Sequence, residues 1–205
     1  RGEWFRVLTA AFLHAGPAHL ALNSLGLLVA GGTLERVIGR GWLAALFLIG
    51  AAGGGIASVH WNAAGIVGIG ASGAIMGLFG FMAVIAFRFP RGPARRAFLG
   101  NALGALVPSL APAVLPLLGG GSGLQIDYAG HAGGALAGAA LGLGFVLLWP
   151  RTAARPGLSG LALAIVLAGA IVLTGGVRQL IGGFGEAAFE SRLIPESALP
   201  KTDAD

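Results

Sequence analysis

The sequence predicts an all-helical, polytopic bundle in a membrane, and three observations predict it. Charged residues make up 10% of the 205 residues and hydrophobic residues 56%, with a mean hydropathy of +0.84, where soluble domains carry ~25% charge. The apolar residues fall in runs close to the ~20 residues that a bilayer core requires. The basic residues collect in alternate connections between those runs.

Six spans are read in order. The first, 19–37, opens on HLALNSLG and ends at the charged turn ERVIGR. The second, 42–59, carries a triple glycine in an otherwise continuous apolar run. The third, 72–87, begins at SGAIMGLFG, and the fourth, 97–118, carries Pro108, Pro112 and Pro116 at i,i+4 spacing before a GGGSG stretch. The fifth, 131–149, begins at HAGGALAG, and the sixth covers 158–177. Thirty-eight glycines and ten prolines would argue for disorder in water, but membrane helices tolerate both. The stretch 182–205 is polar, mixed in charge and expected to be poorly ordered.

The charges give an independent check. Arg36 and Arg40 follow the first span, Arg88, Arg91, Arg95 and Arg96 the third, and Arg151 and Arg155 the fifth, which places eight of the thirteen basic residues on alternate connections. The positive-inside rule assigns those connections to the cytoplasm. Both chain ends and the connections 60–71 and 119–130 then face outside. The net charge of +5 is accounted for by topology, so no nucleic-acid partner is called for. Without cysteine, disulfide and thiolate chemistry are excluded. Glu35 and Arg36 read as an ion pair at the inner end of the first span. Trp4, Phe5 and Phe12 read as side chains dipping into the outer leaflet, and His60 and Trp61 as interfacial.

Against this apolar background the stretch GIVGIGASGAIMGLFG, residues 65–80, holds a single hydroxyl, on Ser72. Gly68, Gly70 and Gly73 spell the dinucleotide pattern G-x-G-x-x-G, which needs a strand before it and an acidic residue about 20 positions on. No Asp or Glu occurs between Glu35 and Asp127, so the nucleotide reading fails.

Polar groups inside membrane spans are costly and mark either function or interhelical hydrogen bonds. His19 and Asn23, spaced i,i+4, share a face of the first span. Ser72 opens the third span and His131 the fifth, so all four lie near the outer surface. Singly, each also fits an interhelical hydrogen bond worth ~0.6 kcal/mol. Together they supply what acyl transfer needs: a hydroxyl, a base to take its proton, and donors where an oxyanion develops. The Ser72 backbone N–H, at a helix start, is a further donor. Gly134 and Gly138 follow His131, and Gly73, Gly77 and Gly80 follow Ser72, so the two helices can approach closely. Too few His and acidic residues fall together to build a metal site, and no cofactor is called for.

The segments HAGPAHLALN (14–23), GASGAIMG (70–77) and YAGHAGGALAG (128–138) resemble the three signature regions of the rhomboid family of intramembrane serine proteases, and GGTLERVIG (31–39) resembles that family's turn after its second span. The resemblance covers residues 4–149. It implies a Ser–His dyad in a water-filled cavity opening outward, with Ser72 as nucleophile and His131 as general base. His19, Asn23 and the Ser72 N–H would form the oxyanion hole, Gly70 would shape the loop before the nucleophile, and His14 would be structural.

It further implies a domain over 1–150 that lacks the family's first span, an additional span within 151–181, and a tail over 182–205. Substrates would be transmembrane segments of other proteins within the lipid bilayer, cut from the outer side of a bacterial cytoplasmic membrane; twelve arginines against one lysine also point to a bacterial source. Three departures stand out: the absent first span, Met76 where an aromatic often packs beneath the histidine, and the proline-rich fourth span, which reads as a kinked, mobile gate. Asp127, four residues before His131, is read as a helix cap in preference to a third catalytic member. The alternative function is a non-catalytic relative that binds transmembrane clients. A transporter would want mid-membrane ionisable residues or two matching halves, and the sequence has neither.

Overall fold

The computed structural model describes residues 3–62, 68–114 and 126–192. Seven α-helices occur among them: α1 (Arg6–Thr9, prolonged by a 3-10 turn over Ala10–Phe12), α2 (Pro17–Ile38), α3 (Arg40–Trp61), α4 (Ser72–Ile85), α5 (Pro93–Val114), α6 (Tyr128–Leu148) and α7 (Ser159–Arg192). No strand is found among the described residues.

Local signals set the boundaries. Pro17 occupies the first turn of α2, where its missing N–H costs nothing. The chain bends by 98° between the α1 segment and α2. Gly39, at φ +81°, ends α2 and starts α3. Its N–H donates to the Glu35 carbonyl at 2.9 Å and its carbonyl accepts from Leu43 N–H at 3.0 Å, so one residue in a conformation open to glycine joins two helices.

The fold is that of an integral membrane helical bundle. Three helices are each long and apolar enough to cross a bilayer: Arg40–Trp61, Tyr128–Leu148 and Ser159–Gly182; the bent pair Arg6–Phe12 and Pro17–Ile38 supplies a fourth if taken as one span. The sequence counts six. Ser72–Arg88 is apolar but short. The long helices α2 and α5 are diluted by polar groups, among them His19, Asn23, Glu35 and Arg36 in one and Arg95, Arg96 and Asn101 in the other. Large apolar side chains such as Leu22, Leu28, Leu148 and Ile171 lie on the outside, as lipid solvation permits. Polar side chains on α2 turn back on their own helix: Ser24 and Thr33 hydroxyls each donate to the carbonyl four residues earlier, at 2.8 Å.

The core is built around α4, whose residues Ala74 to Met82 are all buried. α3 and α6 flank it, and α2 and α5 pack on its remaining sides. Beneath it, Phe145 stacks edge-on against Trp42 (4.7 Å) and Phe81 (5.2 Å). Arg88 crosses to the end of α6, donating to the Trp149 and Pro150 carbonyls at 2.6 Å and lying over the Trp149 ring. Met76 is buried in this core.

α7 docks along α3. Ala162, Gly169 and Gly176 are its buried positions among the residues described, each seven apart and so on one face. They meet Gly41, Leu48 and Phe5 in turn, and Trp42 Nε1–H donates to the Gly157 carbonyl at 3.0 Å.

Four expectations are corrected. Glu35 pairs with Arg40, Nε to Oε1 at 2.7 Å, and not with Arg36, because adjacent helical residues do not face each other; Arg36 Nε donates to Gly32 O. Phe5 is buried at 3% exposure against Gly176, whereas Trp4 and Phe12 are exposed. His131 lies one turn inside α6 instead of opening it, because Asp127 starts that helix earlier. The last helix continues past 182 to Arg192: the sequence there, GEAAFESR, is rich in helix formers, and extending an existing helix avoids nucleation. α5 runs as one helix through Pro108 and Pro112. The expected features at Pro116, at 119–123 and beyond residue 192 lie outside the described residues.

Candidate active site

Ser72 is the first residue of α4, after Gly70 and Ala71. Gly70 has φ +117°, a region closed to most side chains, and its N–H donates to the Ala10 carbonyl at 3.0 Å, tying the loop to α1. A Cβ on Gly70 would lie 2.7 Å from His19 Nε2 and 3.3 Å from Asn23 Nδ2. Glycine is therefore required twice, by dihedral and by space. As the first residue of the helix, Ser72 presents a backbone N–H with no intrahelical acceptor.

The two α2 side chains arrive there as donors. Asn23 is buried, and its Nδ2 has no hydrogen-bond partner among the described residues; such a donor costs ~1–3 kcal/mol. His19 Nδ1 accepts from Ala15 N–H at 3.4 Å, and the His14 ring stands edge-on to it at 5.3 Å. With Nδ1 accepting, the proton of a neutral ring sits on Nε2, the atom that faces Gly70.

His131 is oriented by α5. Its Nδ1 lies 3.3 Å from the Ser109 carbonyl, and a carbonyl can only accept. In the tautomer that makes this bond, Nδ1 carries the proton and Nε2 keeps its lone pair. Ser72 and His131 line one cavity of about 990 Å³, together with Gly70, Gly73, Gly130 and Asp127. No hydrogen bond joins Ser72 to His131 among the described residues. His19 and Asn23 are not lining residues of this cavity and reach the loop from its α2 side.

The glycines set how near the helices come. A Cβ on Gly134 or Gly138 would strike the carbonyls of Gly73 and Gly77, and one on Gly80 the carbonyl of Ala135. The facing backbones of α4 and α6 are thus in direct contact. The sequence reveals that pair but not its third member. A Cβ on Gly54 would lie 2.9 Å from Gly130 O and 3.2 Å from Gly73 Cα, and one on Gly77 2.8 Å from Gly50 Cα. α3 closes the seam, and the available signal was its own GAAGGG run, residues 50–55.

Sequence reasoning also missed Asn62 and Ser58. Asn62 Nδ2 donates to Asp127 Oδ1 at 2.8 Å and to Ser58 Oγ at 3.0 Å, while the same carboxylate oxygen accepts Gly130 N–H at 2.7 Å. Asp127 thereby caps α6 and latches it to the end of α3, one turn from His131. No hydrogen bond runs from this carboxylate to the His131 ring among the described residues.

The Rhomboid domain family model matches residues 1–149. Among curated proteins, the chain is 36% identical to "Rhomboid protease GluP" of Bacillus subtilis over 148 residues, 70% of this chain and 27% of that protein. It is 29% identical to "Rhomboid protease AarA" of Providencia stuartii over 168 residues, 72% and 58% of the two chains. It is 40% identical to "Putative rhomboid protease YdcA" of Bacillus subtilis over 92 residues, 42% and 44%. The chain thus spans about a quarter to three fifths of the length of these relatives. No solved structure matches it.

Proposed function

The chain belongs to the rhomboid family, and on that premise we propose that it is an intramembrane serine endopeptidase that cuts transmembrane segments of other proteins. The observation that supports the reading is that Ser72 and His131 line one cavity, with His131 Nδ1 against the Ser109 carbonyl.

In this reading His131 Nε2 takes the Ser72 Oγ proton as Oγ bonds to the scissile carbonyl carbon. In this reading the negative charge on the carbonyl oxygen is met by the Ser72 N–H, with Asn23 Nδ2 and His19 Nε2–H as further donors approaching from the α2 side of the Gly70 loop. The tetrahedral adduct collapses, the C–N bond breaks, and the leaving amine takes the proton from His131. Water then attacks the acyl ester with His131 again as base, releasing the acid and restoring Ser72. A helical substrate must unwind locally to offer its carbonyl, so weak helix formers near the cleavage site are favoured. The basic connections at 36–40, 88–96 and 151–155 support a cytoplasmic assignment for those turns. The full six-span reading and a site opening to the outer side of a bacterial inner membrane follow from it.

The test is labelling by a fluorophosphonate and cleavage of a transmembrane peptide in liposomes. Ser72→Ala and His131→Ala should lose both with folding retained, and Asn23→Ala should cut kcat by about 100-fold or more. Labelling that survives in Ser72→Ala would move the nucleophile elsewhere. The unmade Ser72–His131 hydrogen bond is what a non-catalytic, client-binding relative would also show; a folded wild type that never labels would establish that alternative.

A further inference from the structure

We propose that α7 supplies one wall of the substrate site, with Leu173, Val177 and Leu180 receiving an apolar side chain of the cleaved segment across the cavity from Ser72 and His131. This rests on the protease reading. All three residues line the same cavity as the dyad. They are spaced i, i+4 and i+7, and so share a face.

Their position follows from how α7 docks. Gly176 brings its backbone against the buried ring of Phe5, and a Cβ there would lie 2.5 Å from that ring. Leu173 and Leu180 sit three residues before and four after Gly176, hence on the docked side of the helix. They are nevertheless only half-buried, and Val177 is 50% exposed, because the space beside them is cavity and not protein.

Ser58, Ser72, Asp127 and His131, with Glu3, Arg6 and Thr9 from α1 and the residues before it, give the cavity its polar lining, while the α7 side chains in it are all apolar. Apolar surface facing lipid has no reason to be covered, but apolar surface facing water does. The volume of about 990 Å³ exceeds what a dyad needs and matches pockets that enclose several side chains. A substrate unwound at its scissile bond projects successive side chains to opposite sides, so one set can meet the dyad wall while another meets α7. Size and shape of that side chain then become a preference set by α7.

The experiment uses the full chain in liposomes with peptides carrying Ala, Leu or Phe beside one scissile bond. Val177→Trp should lower kcat/KM for the Phe peptide by about tenfold, mainly through KM, and leave the Ala peptide within about threefold. Leu180→Ala should shift the preference toward Phe. Fluorophosphonate labelling of Ser72 should be unchanged in both, and Ile171→Trp, at a position 73% exposed on the same helix, should behave as wild type. A wild type that cleaves while the three peptides respond alike to every variant overturns the α7 wall and leaves the protease standing. A folded wild type that neither labels nor cleaves overturns both.

Discussion

The helix that carries Ser72 and the helix that ends the bundle are both apolar, yet they are held in opposite ways. α4 has ten buried residues in fourteen. In α7 only 17% of the most hydrophobic stretch is buried, with Leu163, Leu167 and Ile171 on the outside. Small residues, not apolar ones, mark the difference. Gly73, Gly77 and Gly80 return to the same face every turn and meet backbone, the first two on both the α3 and α6 sides, whereas Ala162, Gly169 and Gly176 return every second turn and the two glycines meet side chains. Where lipid is as apolar as leucine, hydrophobicity brings a helix into the membrane and close approach decides its place in the bundle.

Adding a methyl group on each seam sharpens the contrast. Gly134→Ala and Gly138→Ala meet carbonyls that cannot move aside, so each should cost about 3 kcal/mol or more, read by denaturation in detergent, with cleavage down at least ~10-fold. A loss below about 0.5 kcal/mol would mean the α4 and α6 backbones are not in contact. The next largest effect belongs to the latch. Asp127→Ala removes a helix cap and leaves the Asn62 amide with Ser58 Oγ as its remaining acceptor, together about 2 kcal/mol. Asp127→Asn keeps an acceptor and should retain most activity; a loss of several hundredfold in a folded protein would make Asp127 a third catalytic member. Smallest is α7. Gly169→Ala meets only the tip of Leu48, which can turn to another rotamer, so the cost should stay below about 1 kcal/mol. Gly175→Ala, with open space around it, should show no loss of melting temperature. A large loss at Gly169 alone would show α7 to be as tightly held as α4.

The same contrast explains what could be read from the sequence. Ser72, His131, His19 and Asn23 stood out because polar groups are rare in apolar runs, and the Gly134 and Gly138 pairing because its spacing is helical. α3 as the third partner was less visible, since its glycines could face any neighbour until the bundle is closed. Phe5 misled because an aromatic near an interface serves equally as a membrane anchor or as a plug against a distant glycine, here Gly176. The hydrogen bond from His131 to Ser109 involves a backbone carbonyl, a group that every residue possesses and that no residue type announces. Asn62 was hidden for a related reason: its partner, Asp127, is sixty-five residues away.

The seam between α4 and α6 has a consequence in the language of mutation. Glycine has no chemically conservative neighbour in the genetic code, because every replacement adds at least a Cβ. At Gly134 and Gly138 that atom would land on a carbonyl, so there is no small step to take. Random change can therefore accumulate along the lipid-facing side of α7 while the packing around Ser72 stays closed to it.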